Sequence, residues 1–566
     1  MKFSEMGYQR PDMAKIEKCA DEISSLIESA GSAADAEKAY MDWDRIERSF
    51  STALNICYIR HSINTEDEFY SKENDFFDDN SPKFTECAQK VAKAITLSPF
   101  RKELEESLSR VFFINNELLL KGFCTENIPL MQEENRLVSE YEKLIASAQI
   151  EFEGKKRTIS ELAPYKQSTD DRLRHEAWQV ESGFYAQHYE ELDNIYDSMV
   201  KVRTAQGKKL GFDNYVPLGY INMDRNCYDE NDIKAFRKSV IENIVPLADK
   251  LYRRQAERLG VAYPLKYENT ALTYRTGNAL PKGSPDDILE AGRRFYRGLS
   301  EETGVFFDFM MENELMDVLS RKGKMQGGYC TEIADYHCPF IFSNFNGTQG
   351  DVEVITHEAG HAFAAYTNRD PKILDTMLPT IEACEIHSMT MEFFAYRSAE
   401  DFFGENASKY IYKHLSDAIE FIPYGTMVDH FQHSVYEDPD MSPAQRIEEW
   451  KRLTALYMPW IDLDDSTFYG EGRAWQRQSH IYERPFYYID YCLAQTVALE
   501  FFVLMQKDEK DAFRRYYELV KCGGRKTFRE LIQVAGLDDP FGETALKTAA
   551  EKALEYIDSL EKNINE

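Results

Sequence analysis

Apolar residues recur at helical spacing along most of this chain. In "MAKIEKCADEISSLIESAG", Met13, Ile16, Cys19, Ile23, Leu26 and Ile27 share one face, and Gly31 follows as a stop. "SPDDILEAGRRFYRGL" opens with Ser284 as N-cap, Pro285 at the first helical position and Asp287 completing a capping box. Similar amphipathic segments fill residues 34–200. One region breaks the pattern. "KGKMQGGYCTEIADYHCPFIFSNFNGTQGD" (322–351) has paired glycines, then β-branched and aromatic residues, then a second glycine turn, which predicts a hairpin or small sheet. The whole reads as mainly α. A boundary near residue 200 would separate a helical N-terminal lobe (1–200) from a catalytic lobe (201–566), unless both form one continuous domain.

Composition narrows the classes. With 566 residues, 43% hydrophobic and 29% charged, the chain is globular and can bury a large core. A formal net charge of -31 argues against nucleic acid or an anionic membrane as partner, since both would repel it. The ten cysteines are scattered with no C-x-x-C pair, so they suggest neither a metal ribbon nor a disulfide framework. The first residues lack the apolar core of a signal peptide, and no uninterrupted apolar run approaches the ~18 residues needed to cross a bilayer. The expected location is cytoplasmic; oligomeric state is not legible.

The chemistry concentrates in "DVEVITHEAGHAFAAYT" (351–367). On a helix, Val352, Ile355, Ala359, Ala362, Phe363 and Tyr366 make one apolar stripe. His357 and His361 fall about 160° from its centre, on a face with the small side chains Ala364 and Ala365. Histidines satisfied in a core would sit in the stripe. A solvated face would carry more charge, yet 354–368 has only Glu358. Two imidazoles four residues apart suit one zinc ion.

A third ligand is needed. The metzincin continuation is excluded because Ala364 and Thr367 stand where it requires Gly and His. "LPTIEACEIHSMTMEFF" (378–394) offers a helix capped by Thr380, with Glu382, Glu385, Met389 and Glu392 on one face. Glu382 suits the helix dipole in the first turn, and Glu392 suits a partner for a ligand imidazole. Glu385 is preferred as ligand, partly on the resemblance below. His387 is the alternative, pointing about 160° from that face. Two histidines and one glutamate leave a fourth position open, the catalytic pattern, with Glu358 beside it as general base for a hydrolytic water.

"SHIYERPFYYIDYCLAQ" (479–495) supplies His480, Tyr482, Tyr487, Tyr488 and Tyr491 as candidate donors to a developing oxyanion, although aromatic clusters commonly pack cores. Gly470 and Gly472 would give it a flexible lead-in. The strand "FIFSNFNGTQGD" could pair with an extended peptide, with Asn346, Gly347 and Gly350 close to its backbone; a turn that only aims the helix is the alternative.

In "GGYCT", "NFNGTQGDVEVITHEAGHAF", "EIHSMTMEFF", "FIPYGTMVDHFQHSVYEDPDMSPAQR" and "HIYERPFYY", taken in order, the chain resembles the thimet oligopeptidase and oligoendopeptidase F family of zinc peptidases. The likeness is clearest over about 325–500. It implies His357, His361 and Glu385 as ligands of one zinc ion per chain, and Glu358 as base. It also implies His480, Tyr488 and Tyr491 as substrate and transition-state contacts; Tyr487 is a substrate-binding candidate on residue chemistry alone. The implied fold is a two-lobed, largely helical zincin-like peptidase, with a small β-sheet beside the active-site helix and a deep central channel. The implied substrates are short oligopeptides cut internally. Two alternatives remain: an exopeptidase of the dipeptidyl carboxypeptidase type, and a non-catalytic peptide-binding relative.

Overall fold

The computed structural model describes residues 1–463, 468–542, 544–562 and 564. Helices dominate it, as the spacing of apolar residues predicts. Met13–Glu28 is helical and buries Ile16, Ile23 and Ile27. Pro285–Leu299 starts with the expected capping box, in which the Ser284 hydroxyl and the Asp287 carboxylate each accept the other's backbone N–H.

The helix Asp171–Lys209 runs straight through residue 200, where a lobe boundary was expected. The main hydrophobic core likewise joins residues from Phe3 to Ile557, on both sides of that point. A second core lies under the first helices, where Trp43, Phe50 and Phe77 pack with Ile373 from much later in the chain.

Two small sheets interrupt the helices. Strands β1 (Ile150–Phe152) and β2 (Lys155–Arg157) form an antiparallel hairpin. Strands β3 (Met316–Leu319), β4 (Tyr329–Ile333) and β5 (Cys338–Phe345) form a sheet in the order β3-β5-β4. The predicted hairpin is the β4–β5 pair, and β3 joins parallel to β5. Strand β5 is therefore central. Both its edges are taken, so "FIFSNF" does not offer an edge to a peptide; β4 does.

After β5, the Asp351 carboxylate accepts the backbone N–H groups of Asn346 and Gly347, both at 2.8 Å, and Gly347 turns at φ 85°. That turn swings the chain into the motif helix, Gly350–Thr367. The glutamate helix, Ile381–Phe394, packs between the motif helix and Tyr488–Met505. Tyr488–Met505 is long and apolar enough to cross a membrane, but 67% of it is buried in the protein, which is how a core helix reads.

Candidate active site

The motif helix is buried nearly all round. Val352, Ile355, Ala359, Ala362 and Phe363 are inaccessible, while His357 and His361 keep 21% and 19% of their side chains exposed. They open into a cavity of about 770 Å³, walled by N-terminal residues such as Tyr58, Tyr141 and Ile145 on one side and by the motif and glutamate helices on another.

The donors converge. Glu385 Oε2 lies 3.3 Å from His357 Nε2 and 3.3 Å from His361 Nε2. Tetrahedral coordination with bonds of about 2.0–2.1 Å puts neighbouring donors ~3.3 Å apart, so this cluster fits one divalent ion. Burial alone would raise the Glu385 carboxyl, but the adjacent His361 and His357 outweigh it and hold the group well below its usual range. His387 is not part of the cluster: the side chains whose donor atoms converge there are His357, His361 and Glu385.

Two of the three donors, His357 and Glu385, are oriented from behind. His357 Nδ1 meets Glu392 Oε1 at 2.6 Å, and Glu392 Oε2 meets His414 Nε2 at 2.7 Å. The Tyr396 hydroxyl sits 2.6 Å from His414 Nδ1. Burial would raise the Glu392 carboxyl, yet its two imidazole partners bring it down to about 2. The chain His357–Glu392–His414–Tyr396 fixes ring orientation at the metal position. Glu392 was expected in this role. His414 and Tyr396 were not: His414 comes from a separate helix, Ala407–Glu437, and Tyr396, just past the glutamate helix, joins the chain through His414.

Tyr487 was expected to touch substrate; its hydroxyl donates instead to Glu385 Oε1 at 2.5 Å, and Ser388 Oγ lies 2.9 Å from Oε2. Tyr487 still lines the cavity. Thr380 caps its helix by position only, since its hydroxyl donates to Glu382 Oε1. Glu382 itself is fully buried, and burial together with Asp490 raises it to about 8.

Glu358 is 7% exposed and lines the cavity beside the cluster. Burial raises its pKa, and His357 and His361 oppose that rise. His480 faces the same space with Nε2 3.2 Å from the Tyr491 hydroxyl. Its tautomer follows from a short network. The Tyr424 hydroxyl donates to Gln478 Oε1, which turns the Gln478 amide N–H toward His480 Nδ1 at 3.1 Å. Nδ1 thus accepts, and Nε2 carries the hydrogen. Burial lowers His480 to about 4, so the ring is neutral at physiological pH. Tyr488 packs edge-on against His480 and lines a neighbouring cavity of about 310 Å³ that shares His357, His480 and Tyr491.

Asn346, Gly347 and Gly350 are not among the residues that line either cavity. Their turn serves the motif helix, through Asp351. Gly472 is buried at φ 85°, and a β-carbon there would meet Ile447 and Lys451 at about 3 Å, so it serves a packed turn rather than a flexible lead-in.

With this geometry the comparisons become specific. Residues 3–123 match the Peptidase M3 N-terminal domain, and residues 304–551 match Peptidase family M3. The chain belongs to peptidase family M3. It is 45% identical to PZ peptidase A, solved with an inhibitor, at TM-score 0.97 over 99% of both chains. A solved structure from Bacillus anthracis str. Ames, designated an oligoendopeptidase F, shares 41% identity at TM-score 0.93, over 99% of this chain and 98% of that one. Oligopeptidase PepF of Bacillus subtilis (strain 168) is 21% identical over 98% of this chain and 83% of its own. The M3 chain is thus a peptidase whose family match spans both the helical N-terminal region and the donor cluster.

Proposed function

We propose that this M3 peptidase is a zinc endopeptidase that cuts short, unfolded oligopeptides at internal bonds in the cytoplasm. The observation that carries the reading is the His357–His361–Glu385 cluster, at tetrahedral spacing, opening into a walled cavity with Glu358 beside it. Two imidazoles and one carboxylate are a donor set that zinc favours. Bound there, zinc supplies Lewis acidity toward the peptide carbonyl and the attacking water.

The protein's own residues do the rest. The Glu358 carboxylate takes the proton of the attacking water and passes it to the leaving amine nitrogen. The neutral His480 Nε2–H and the Tyr491 hydroxyl donate toward the carbonyl oxygen as it gains charge, with Tyr488 holding the His480 ring. The edge strand β4 brings Tyr329, Cys330 and Thr331 to the cavity wall, where its backbone can pair with an extended peptide. A folded protein does not fit such a space, whereas a strand does.

All ten cysteines are unpaired, as suits a reducing compartment. The relatives' names, oligoendopeptidase F and oligopeptidase, support the substrate class. The test is metal analysis joined to kinetics. Peptide hydrolysis should rise in proportion to zinc content up to one ion per chain, and chelator should abolish it. Full activity in zinc-free protein would overturn the reading.

A further inference from the structure

Five glutamates, Glu142, Glu332, Glu358, Glu385 and Glu483, line the cavity, and burial raises four of them, Glu142 to about 8 and Glu483 to about 7. A short peptide brings a carboxylate of its own, and away from the metal position that group needs a cationic side chain to meet it. Two arginines line the cavity, Arg477 and Arg484.

Arg477 is engaged. Its guanidinium is hydrogen-bonded to Tyr424, lies over the Tyr469 ring, and is drawn by the charge of the buried Glu181. Arg484 is not. Its side chain is exposed to the cavity and rests against the face of Tyr487, 5.6 Å from the ring centre. Among the described residues, no carboxylate pairs with it, and Asp224 senses its charge from beyond ion-pair distance. A guanidinium presents five donors in a fork that matches a carboxylate, and here that fork is open. Tyr487 in turn bonds Glu385. Through the tyrosine's length, Arg484 lies within roughly 13 Å of the donor cluster, at most about four extended residues.

We propose that Arg484 is a carboxylate-binding subsite of this cavity, holding the C-terminal or an acidic side-chain carboxylate of a bound peptide. This rests on the peptidase reading of the same site. It makes Arg484 a specificity residue: the distance from cluster to guanidinium fixes how many residues lie beyond the bond that is cut.

The experiment uses peptides sharing one scissile bond, with one to four residues beyond it. Each is made as the free acid, as the C-terminal amide, and as the amide with a terminal glutamate. Cleavage by the zinc-loaded enzyme is compared with Arg484→Gln and Arg484→Lys, with metal content measured in each. Binding of the same labelled peptides is measured on Glu358→Gln and on Glu358→Gln/Arg484→Gln. At one register, the free acid should exceed the amide about tenfold or more in kcat/KM, mostly through KM. Arg484→Gln should erase that difference and Arg484→Lys should keep part of it, at unchanged zinc content. If only the glutamate amide regains the advantage, the side chain is the source and the subsite stands. Equal handling of acid and amide at every register, or a preference that survives Arg484→Gln, overturns it. Should no peptide be cut, the peptidase reading fails, and the binding arm alone decides the subsite.

Discussion

Gly360 approaches the backbone of His387 so closely that a β-carbon at residue 360 would lie 2.6 Å from the His387 carbonyl oxygen and 2.6 Å from the Ser388 Cα. The glycine of HEAGH is therefore a point where the motif helix and the glutamate helix touch. Their spacing there sets how near Glu385 comes to His357 and His361. Gly360→Ala should force the helices apart, at a cost of about 1–3 kcal/mol in stability. It should also weaken zinc binding at least tenfold. Thermal denaturation and competitive zinc titration check both; an alanine variant with native zinc affinity contradicts this role.

Glu358 is the proton carrier of the account and not a ligand. Glu358→Gln keeps shape and burial but cannot take a proton. The expected result is a fall in kcat of about 10²–10⁴-fold with one zinc still bound. Steady-state kinetics alongside metal analysis separate this from loss of the ion.

The chain His357–Glu392–His414–Tyr396 predicts effects on metal affinity from residues that do not touch the metal. Glu392→Gln and His414→Ala should each weaken zinc binding about 10–100-fold. Tyr396→Phe, at the far end, should have a smaller effect in the same direction. Zinc titration on the four proteins tests the order; a Tyr396 effect larger than that of Glu392 contradicts it.

Buried groups away from the donors set the pH range of stability, with opposite signs. Burial lowers His433 to about 3, below the 6.5 of a free imidazole. The unfolded chain then binds a proton that the native one refuses, so stability is lost as pH falls below 6.5. Burial and the nearby Glu483 raise Glu142 to about 8 from 4.5. Here the native chain keeps a proton that the unfolded one releases, so stability is lost as pH rises from 4.5 toward 8. Glu142→Gln should gain about 1–3 °C in Tm at pH 8 and little at pH 5. His433→Gln should flatten the acid side of the same curve. Unchanged pH profiles of Tm in both variants would count against these assignments.

Local periodicity made the helices legible, and together with the family resemblance it pointed to the donor cluster. The apolar stripe from Val352 to Tyr366 turned His357 and His361 outward, and the spacing of Glu385 and Glu392 put both on the working face. What stayed hidden depends on contacts across long sequence distances. Nothing near residue 341 shows that β3 will take the second edge of β5 and leave β4 as the open strand. Nothing in "HIYERPFYY" shows that Tyr487 will bond Glu385 while Arg484 stays free. The soft boundary near residue 200 falls inside the helix Asp171–Lys209, which the local pattern of apolar residues does not mark as one unbroken element.

The central claim is chelator-sensitive internal cleavage, and mass spectrometry of products from a mixed library of ~5–15-residue peptides tests it most directly. The account predicts cuts at internal bonds, lost with chelator, restored by zinc and absent in Glu358→Gln. Cuts confined to two residues from the C-terminus would contradict the endopeptidase reading, and no cuts by fully zinc-loaded protein would contradict the chemistry itself.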